Sequence, residues 1–285
     1  MSRRIKEIYK ELYQSYSYDH SYMERVLRCK DTVNIPKVQN AGEIITQKDS
    51  RCQVMHNGVL IHEGCYHQQW VTDIIKVLKG HHEPQEEKLF YEALACIGKG
   101  GSMLECGSFW AYYSLWFNKE VPEAKNIMIE PVPLKMEVGQ LNFILNDFEG
   151  EFLNGYIGSS HKPSSVFHDW DGTQYNIPEF SVDGIMDTYD IKSLDMLHAD
   201  IQNNEISLLT GAADALSSQK IKFIFLGTHM PNFSIAKKLE SYGYHILEQF
   251  EVAESFFDDG LIVACSPSTL KNIDANKFKV SKNES

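Results

Sequence analysis

Apolar positions along the chain alternate between short continuous runs, as in buried strands, and recurrence at helical spacing. Gly98-Lys99-Gly100-Gly101 breaks one pattern, and the run Met103-Leu104-Glu105 then stops against Gly107. Beyond that glycine, Phe109, Ala111, Tyr112, Leu115 and Trp116 recur at helical spacing, which predicts strand, tight turn, helix. Asn126 to Glu130 predicts a second strand and Lys135 to Leu145 the helix after it. Phe152 to Ile157, Leu194 to Asp200 and Lys222 to Leu226 predict three more strands, with helices over Ile206 to Leu216 and Ser234 to Tyr242. Tyr244 to Phe250 and Gly260 to Cys265 are joined by an acidic link, Glu254 to Asp259. That link permits an antiparallel hairpin and cannot house a crossover helix.

Ahead of this α/β pattern the rhythm is less regular. Residues 1 to about 35 read as helical, with Tyr9, Tyr13, Tyr16, Tyr18 and Tyr22 forming a stripe. The stripe reads first as an amphipathic packing face, with a sugar-stacking or homo-oligomer surface as the alternatives. Asn57-Gly58, between alternating residues, predicts a hairpin. Helices follow over Trp70 to Leu78 and Lys88 to Ile97. The chain thus divides into an extension over residues 1–80, an α/β domain over 81–270 and a polar tail over 271–285. Within the domain, residues 158–180 are polar and aromatic without periodicity, which predicts a long loop acting as a lid.

Composition narrows the partners more than the fold. A net charge of -12 opposes nucleic acid or an anionic membrane and suits a neutral or cationic ligand. No apolar run reaches membrane-spanning length. Six cysteines without CxxC spacing, and a polar start with no leader pattern, fit reduced thiols and a cytoplasmic location.

Two features carry chemistry. Gly107 lets a ligand approach the backbone at the carboxyl end of a strand, where open α/β sheets bind ligands. Glu130 ends the next strand 25 residues after Glu105, where a carboxylate can accept both hydroxyls of an adenosine ribose. His81 and His82 beside Glu83, Glu86 and Glu87 have metal-ligating side chains, but consecutive residues seldom converge on one ion. His198, inside a strand, reads as buried core.

Alternating β/α units closed by a terminal antiparallel hairpin make a Rossmann-like methyltransferase pattern. Over about Gly64 to Ser266 the chain resembles the FkbM-type S-adenosylmethionine-dependent methyltransferases. The resemblance rests on Gly80-His81-His82-Glu83-Pro84-Gln85-Glu86-Glu87, Leu104-Glu105-Cys106-Gly107-Ser108-Phe109-Trp110, Ile129-Glu130-Pro131 and Leu197-His198-Ala199-Asp200-Ile201-Gln202-Asn203-Asn204-Glu205. Gly227-Thr228-His229 agrees with it. Two departures stand out: bulky residues fill the usually glycine-rich turn, and Asn203 replaces a usual glycine.

The resemblance implies a class I sheet, mostly parallel, with an N-terminal helical and β extension. It implies S-adenosylmethionine as cofactor and O-methylation of a sugar hydroxyl, on a polysaccharide, another glycan or a glycosylated natural product. By it, Glu130 binds the ribose, and Glu105, Gly107 and Ser108 hold the amino-acid part. Ser159 lies near the adenine, Asp200 beside the sulfonium, and Tyr113 and Ser114 complete the cofactor set. Glu83, Trp170 and Tyr175 are assigned to the acceptor. His229 is the expected general base, acting with Asp200 and requiring a neutral imidazole. A magnesium role for Asp200 is the lesser alternative, since no second acid stands at ligand spacing, so no metal is expected. A nicotinamide oxidoreductase and a non-catalytic glycan-binding protein on the same fold are the competing functions.

Overall fold

The computed structural model describes residues 20–169 and 171–283. Helix α1 (His20–Arg28) leads into a three-stranded antiparallel sheet of β1 (Ile44–Gln47), β2 (Ser50–Val54) and β3 (Leu60–His62). Asn57-Gly58 turns β2 into β3, as its sequence predicts. Helices α2 (Gln68–Val77) and α3 (Pro84–Leu94) follow. The α/β pattern then runs β4 (Ser102–Cys106), α4 (Tyr112–Glu120), β5 (Lys125–Glu130), α5 (Pro133–Leu145) and β6 (Glu151–Asn154). After β7 (Tyr156–Ile157), β8 (Lys162–His168) and β9 (Gln174–Phe180) come α6 (Val182–Thr188), β10 (Leu194–Ala199), α7 (Glu205–Thr210), α8 (Ala213–Ser217) and β11 (Ile221–Thr228). Helix α9 (Phe233–Ser241) and strands β12 (His245–Phe250) and β13 (Gly260–Cys265) close the sheet.

The main sheet has the order β12-β13-β11-β10-β4-β5-β6. Its β4, β5, β6, β10 and β11 run parallel, while β13 is antiparallel to β11 and to β12. Successive strand residues face opposite sides. Met103, Met196 and Phe223 enter one core and Leu104, Leu197 and Ile224 the other. Both faces are buried, which explains the continuous apolar runs. From β4 the chain travels outward through β5 and β6, then returns to place β10 on the other flank of β4. That reversal opens a crevice at the carboxyl ends of β4 and β10.

The region before residue 81 shares its core with the sheet: Ile35, Met55, Val59 and Ile61 pack with Trp116, Phe117 and Phe225. Its edge strand β3 is met by α5 side chains. Asn142 Oδ1 accepts from the His62 N–H at 3.0 Å, and Asn146 Oδ1 accepts from the Leu60 N–H at 2.8 Å. Asn142 also donates to the Trp110 carbonyl at 3.0 Å. At the other end Phe278 is buried and stacks 6.0 Å from Phe223, so residues beyond 270 also pack on the sheet.

Three expectations need correction. Residues 158–180 are not a loop: β8 and β9 form an antiparallel hairpin, paired with β7 in a second sheet. The run Phe152 to Ile157 is two strands, β6 in the main sheet and β7 in the small one. The expected helix Ile206 to Leu216 breaks between Thr210 and Ala213 into α7 and α8. Tyr9, Tyr13, Tyr16 and Tyr18 lie outside the described residues, and with them most of the expected tyrosine stripe.

Candidate active site

A cleft of about 1040 Å³ opens at the carboxyl ends of β4, β5, β10 and β11. Its floor is the turn after β4, where the Ile129 carbonyl accepts from both the Gly107 and Ser108 N–H groups, at 2.9 and 3.1 Å. Gly107 has φ +76°, and a Cβ there would lie 1.9 Å from the Asp200 carbonyl oxygen. Phe109 and Ala111 also take positive φ, 39° and 57°, conformations that glycine would adopt without steric cost. The carboxylate of Glu130 secures this strained turn. Its Oε2 accepts the Phe109 N–H at 3.0 Å and its Oε1 the Val132 N–H at 2.9 Å. Asn203 keeps the positive φ, 69°, that its side chain tolerates. Both sequence departures are thus accommodated.

Glu105 is buried at the end of β4, its Oε2 accepting the Ser114 N–H at 3.2 Å. Burial carries its carboxyl up to about 7, against the opposing pull of His198 and of the Ser114 bonds. Burial likewise raises Glu130, opposed by Lys135 and its two N–H bonds.

His229 follows β11 and faces Asp200, as both ends of neighbouring parallel strands should. Its Nε2 lies 2.8 Å from Asp259 Oδ1 and 3.6 Å from Asp200 Oδ1, while Nδ1 lies 3.4 Å from Glu205 Oε1. Burial alone would lower its pKa. The bonds to Asp259 and Glu205, with the charges of Asp259 and Asp200, outweigh burial and push it up to about 10. An imidazole in that setting holds its proton at neutral pH. The expected neutral general base at His229 is therefore opposed by the carboxylates around it.

The wall opposite is built from the start of α3. His81 Nδ1 and His82 Nδ1 meet the two oxygens of fully buried Glu87, at 2.5 and 2.7 Å. Burial would raise that carboxyl, but the two histidines hold it well below the usual range. This is a buried ion-pair cluster. Glu83 projects past it, 3.3 Å from His82 Nε2, and accepts from the Tyr113 hydroxyl at 3.0 Å. His198, in β10, reaches Glu86 Oε1 at 2.8 Å.

The family model for the methyltransferase FkbM domain matches residues 92–250, more than half of the chain. The chain belongs to the FkbM methyltransferase family. No curated protein matches it significantly. Among solved structures, M. capricolum TrmK in complex with S-adenosylhomocysteine is 9% identical, covering 62% of this chain and 67% of that one, with a TM-score of 0.44. The precorrin-6y C5,15-methyltransferase of Geobacter metallireducens is 14% identical, covering 62% and 88%, with a TM-score of 0.41. This FkbM protein is a methyltransferase whose methyl donor is S-adenosylmethionine.

The cleft has the donors and the space that this cofactor needs. Ser108 Oγ is buried without a hydrogen-bond partner, whereas the space beside Gly107, expected to admit a ligand, is filled by the Asp200 carbonyl. Each Glu130 oxygen accepts one backbone N–H and keeps a lone pair for a ribose hydroxyl. Glu105, Gly107, Ser108, Tyr113, Glu130 and Asp200 all border the cleft. Ser114 does not, and instead supports Glu105 through its N–H. Ser159 is exposed and also stands off the cleft, because β7 has left the main sheet before it; Tyr156 and Ile157 take the wall there.

Of the residues assigned to the acceptor, Glu83 and Tyr175 border the cleft, and Trp170 lies outside the described residues. The β8–β9 hairpin brings Val166, Phe167 and Tyr175 into the cleft lining. Nine carboxylates line the cleft, and Lys135 is the only lysine or arginine in it among the described residues. Sequence reasoning missed Glu86, Asp259 and Glu205 as site residues. Glu205 stood inside the quoted motif, and Asp259 ended the acidic link before a glycine.

Proposed function

We propose that the protein transfers the methyl group of S-adenosylmethionine to a hydroxyl of a neutral or cationic, sugar-sized acceptor. The observation that carries this reading is the cleft lining, in which Tyr66, Tyr113 and Phe257 supply apolar faces while Glu83, Asp200 and Asp259 supply acceptors. Such a wall suits the apolar face and hydroxyls of a sugar. It repels phosphate, carboxylate and nucleic acid.

When bound, S-adenosylmethionine supplies an electrophilic methyl group. Glu130 would hold the ribose hydroxyls, Glu105 and Ser108 the amino-acid end, and Asp200 would oppose the sulfonium charge. The hydroxyl is placed between Asp200 and Glu83. Positioning of this kind reaches effective molarities of about 10⁵–10⁸ M.

The test is transfer of labelled methyl groups to matched acceptors: neutral glycosides, amino sugars, sugar phosphates and a structured RNA. Transfer to the first two classes with O-methylated products is the expected result. Transfer confined to sugar phosphates or RNA overturns the reading. Tight S-adenosylhomocysteine binding with no transfer to any member would favour a non-catalytic glycan-binding protein.

A further inference from the structure

Asp200 and His229 share their end of the cleft with a third group from a distant part of the chain. Asp259 sits in the link between β12 and β13, immediately before the strand that pairs antiparallel with β11. That pairing sets Thr228 opposite Gly260 and so returns Asp259 to the side chain that follows Thr228. Each of Asp200, His229 and Asp259 offers one ligand atom within 4.8 Å of the others, His229 Nε2 lying 3.6 Å from Asp200 Oδ1 and 2.8 Å from Asp259 Oδ1.

All three atoms are lone-pair donors once a cation displaces the proton that His229 otherwise holds among these carboxylates. The terminal amide of Gln202 lies 2.8 Å from the same Nε2, and its orientation is exchangeable, so its oxygen can face the same point. Asp200 Oδ1 is shielded from solvent and has no hydrogen-bond donor. Behind the ring, Glu205 is fully buried, with Oε1 3.4 Å from His229 Nδ1 and Oε2 unpartnered. A carboxylate at Nδ1 keeps the proton there and turns the Nε2 lone pair outward, the usual outer support of a metal-bound histidine.

We propose that Asp200, His229 and Asp259 form a divalent-cation site of the magnesium–manganese class, with Glu205 as the positioning residue. Two carboxylate oxygens and one imidazole suit manganese better than magnesium, because nitrogen ligation favours the softer ion. Three protein ligands leave coordination positions open toward the cleft. A cation there draws an acceptor hydroxyl to the end of β10 and makes that hydroxyl more acidic. The hydroxyl proton then passes to the Glu83 carboxylate as the methyl–sulfur bond breaks, a role expected of a neutral imidazole. His81, His82 and Glu87 offer no such site, since both imidazoles are turned onto the one carboxylate.

The inference deepens the methyl-transfer reading, and its test separates the two. Manganese is titrated into the chelator-treated full-length protein with saturating S-adenosylhomocysteine, and free manganese is read by electron paramagnetic resonance. One equivalent should bind, and more tightly than magnesium in competition. Glu205→Gln should weaken manganese binding roughly 10–100-fold, and Asp259→Asn should weaken it at least as much. Both should leave S-adenosylhomocysteine affinity unchanged. If wild-type protein binds S-adenosylhomocysteine but no stoichiometric manganese, the site is disproved whatever the variants do, and the cluster holds a proton. Manganese binding without methyl transfer to any acceptor would instead overturn the proposed reaction and leave the site standing.

Discussion

Gly107 and the carbonyl of Asp200 are in such close approach that a single methyl group at the glycine would sit 1.9 Å from that oxygen. The turn after β4 and the loop after β10 are also tied directly, the Asp200 N–H donating to the Cys106 carbonyl at 3.0 Å. Gly107→Ala must therefore separate the two loops, and it also places alanine at positive φ. We expect a loss of about 1–3 kcal/mol of stability. Affinity for S-adenosylhomocysteine should fall at least tenfold. Calorimetric titration and thermal melting together check this, and unchanged affinity would mean that the loops separate without disturbing the cofactor site.

The buried carboxyl of Glu105 gives a pH signature. Its usual pKa is 4.5 and burial carries it up to about 7. Between those values the folded protein keeps a proton that the unfolded chain has released. The stabilising contribution is therefore full below pH 4.5 and fades as pH rises to about 7, by roughly 3 kcal/mol. His198 and Glu86 are the titratable groups facing it; burial lowers His198 and raises Glu86. Glu105→Gln should flatten this part of the curve, so urea midpoints of cofactor-free protein at pH 5 and 7.5 should converge relative to wild type. Parallel pH dependences in the two proteins would show that Glu105 does not titrate there.

Tyr175, on β9, lines the cleft from the hairpin, within electrostatic reach of Asp169, Asp171 and Glu130. Tyr175→Ala should raise the acceptor KM by on the order of tenfold, the scale of losing an aromatic contact. The S-adenosylmethionine KM should stay within twofold. An equal rise in both constants would place the hairpin over the cofactor instead.

Glu87 serves stability. Glu87→Ala leaves His81 and His82 buried without their shared carboxylate, a change that costs about 3–5 kcal/mol. The Tm should fall by on the order of 10 °C. Well below the new Tm, S-adenosylhomocysteine should still bind. A Tm within two degrees of wild type would contradict a buried ion-pair role.

The legible parts of this chain were those whose signal is local. The run ending at Glu105, the glycine after it and the acid at Glu130 announced a strand, a tight turn and a carboxylate at the end of the next strand without reference to anything distant. The β8–β9 hairpin was harder, since its strands are half exposed and interrupted by Pro163 and Pro178, which removes clean alternation. Its signal was Asp171-Gly172, a turn pair with φ +84° at the glycine. Asp259 was hidden for another reason. Only the register of β13 against β11 brings it to His229, and register is a property of the folded sheet.

The Asn142 and Asn146 contacts give this architecture an order of assembly. They satisfy the outer edge of β3 from 80 and 86 residues further along the chain. While the chain is being synthesised, the small N-terminal sheet must wait with an open edge until α5 has emerged and docked. The same amide of Asn142 then fastens the Trp110 carbonyl, so closing that edge and seating the turn that floors the cleft become one late, long-range event in folding.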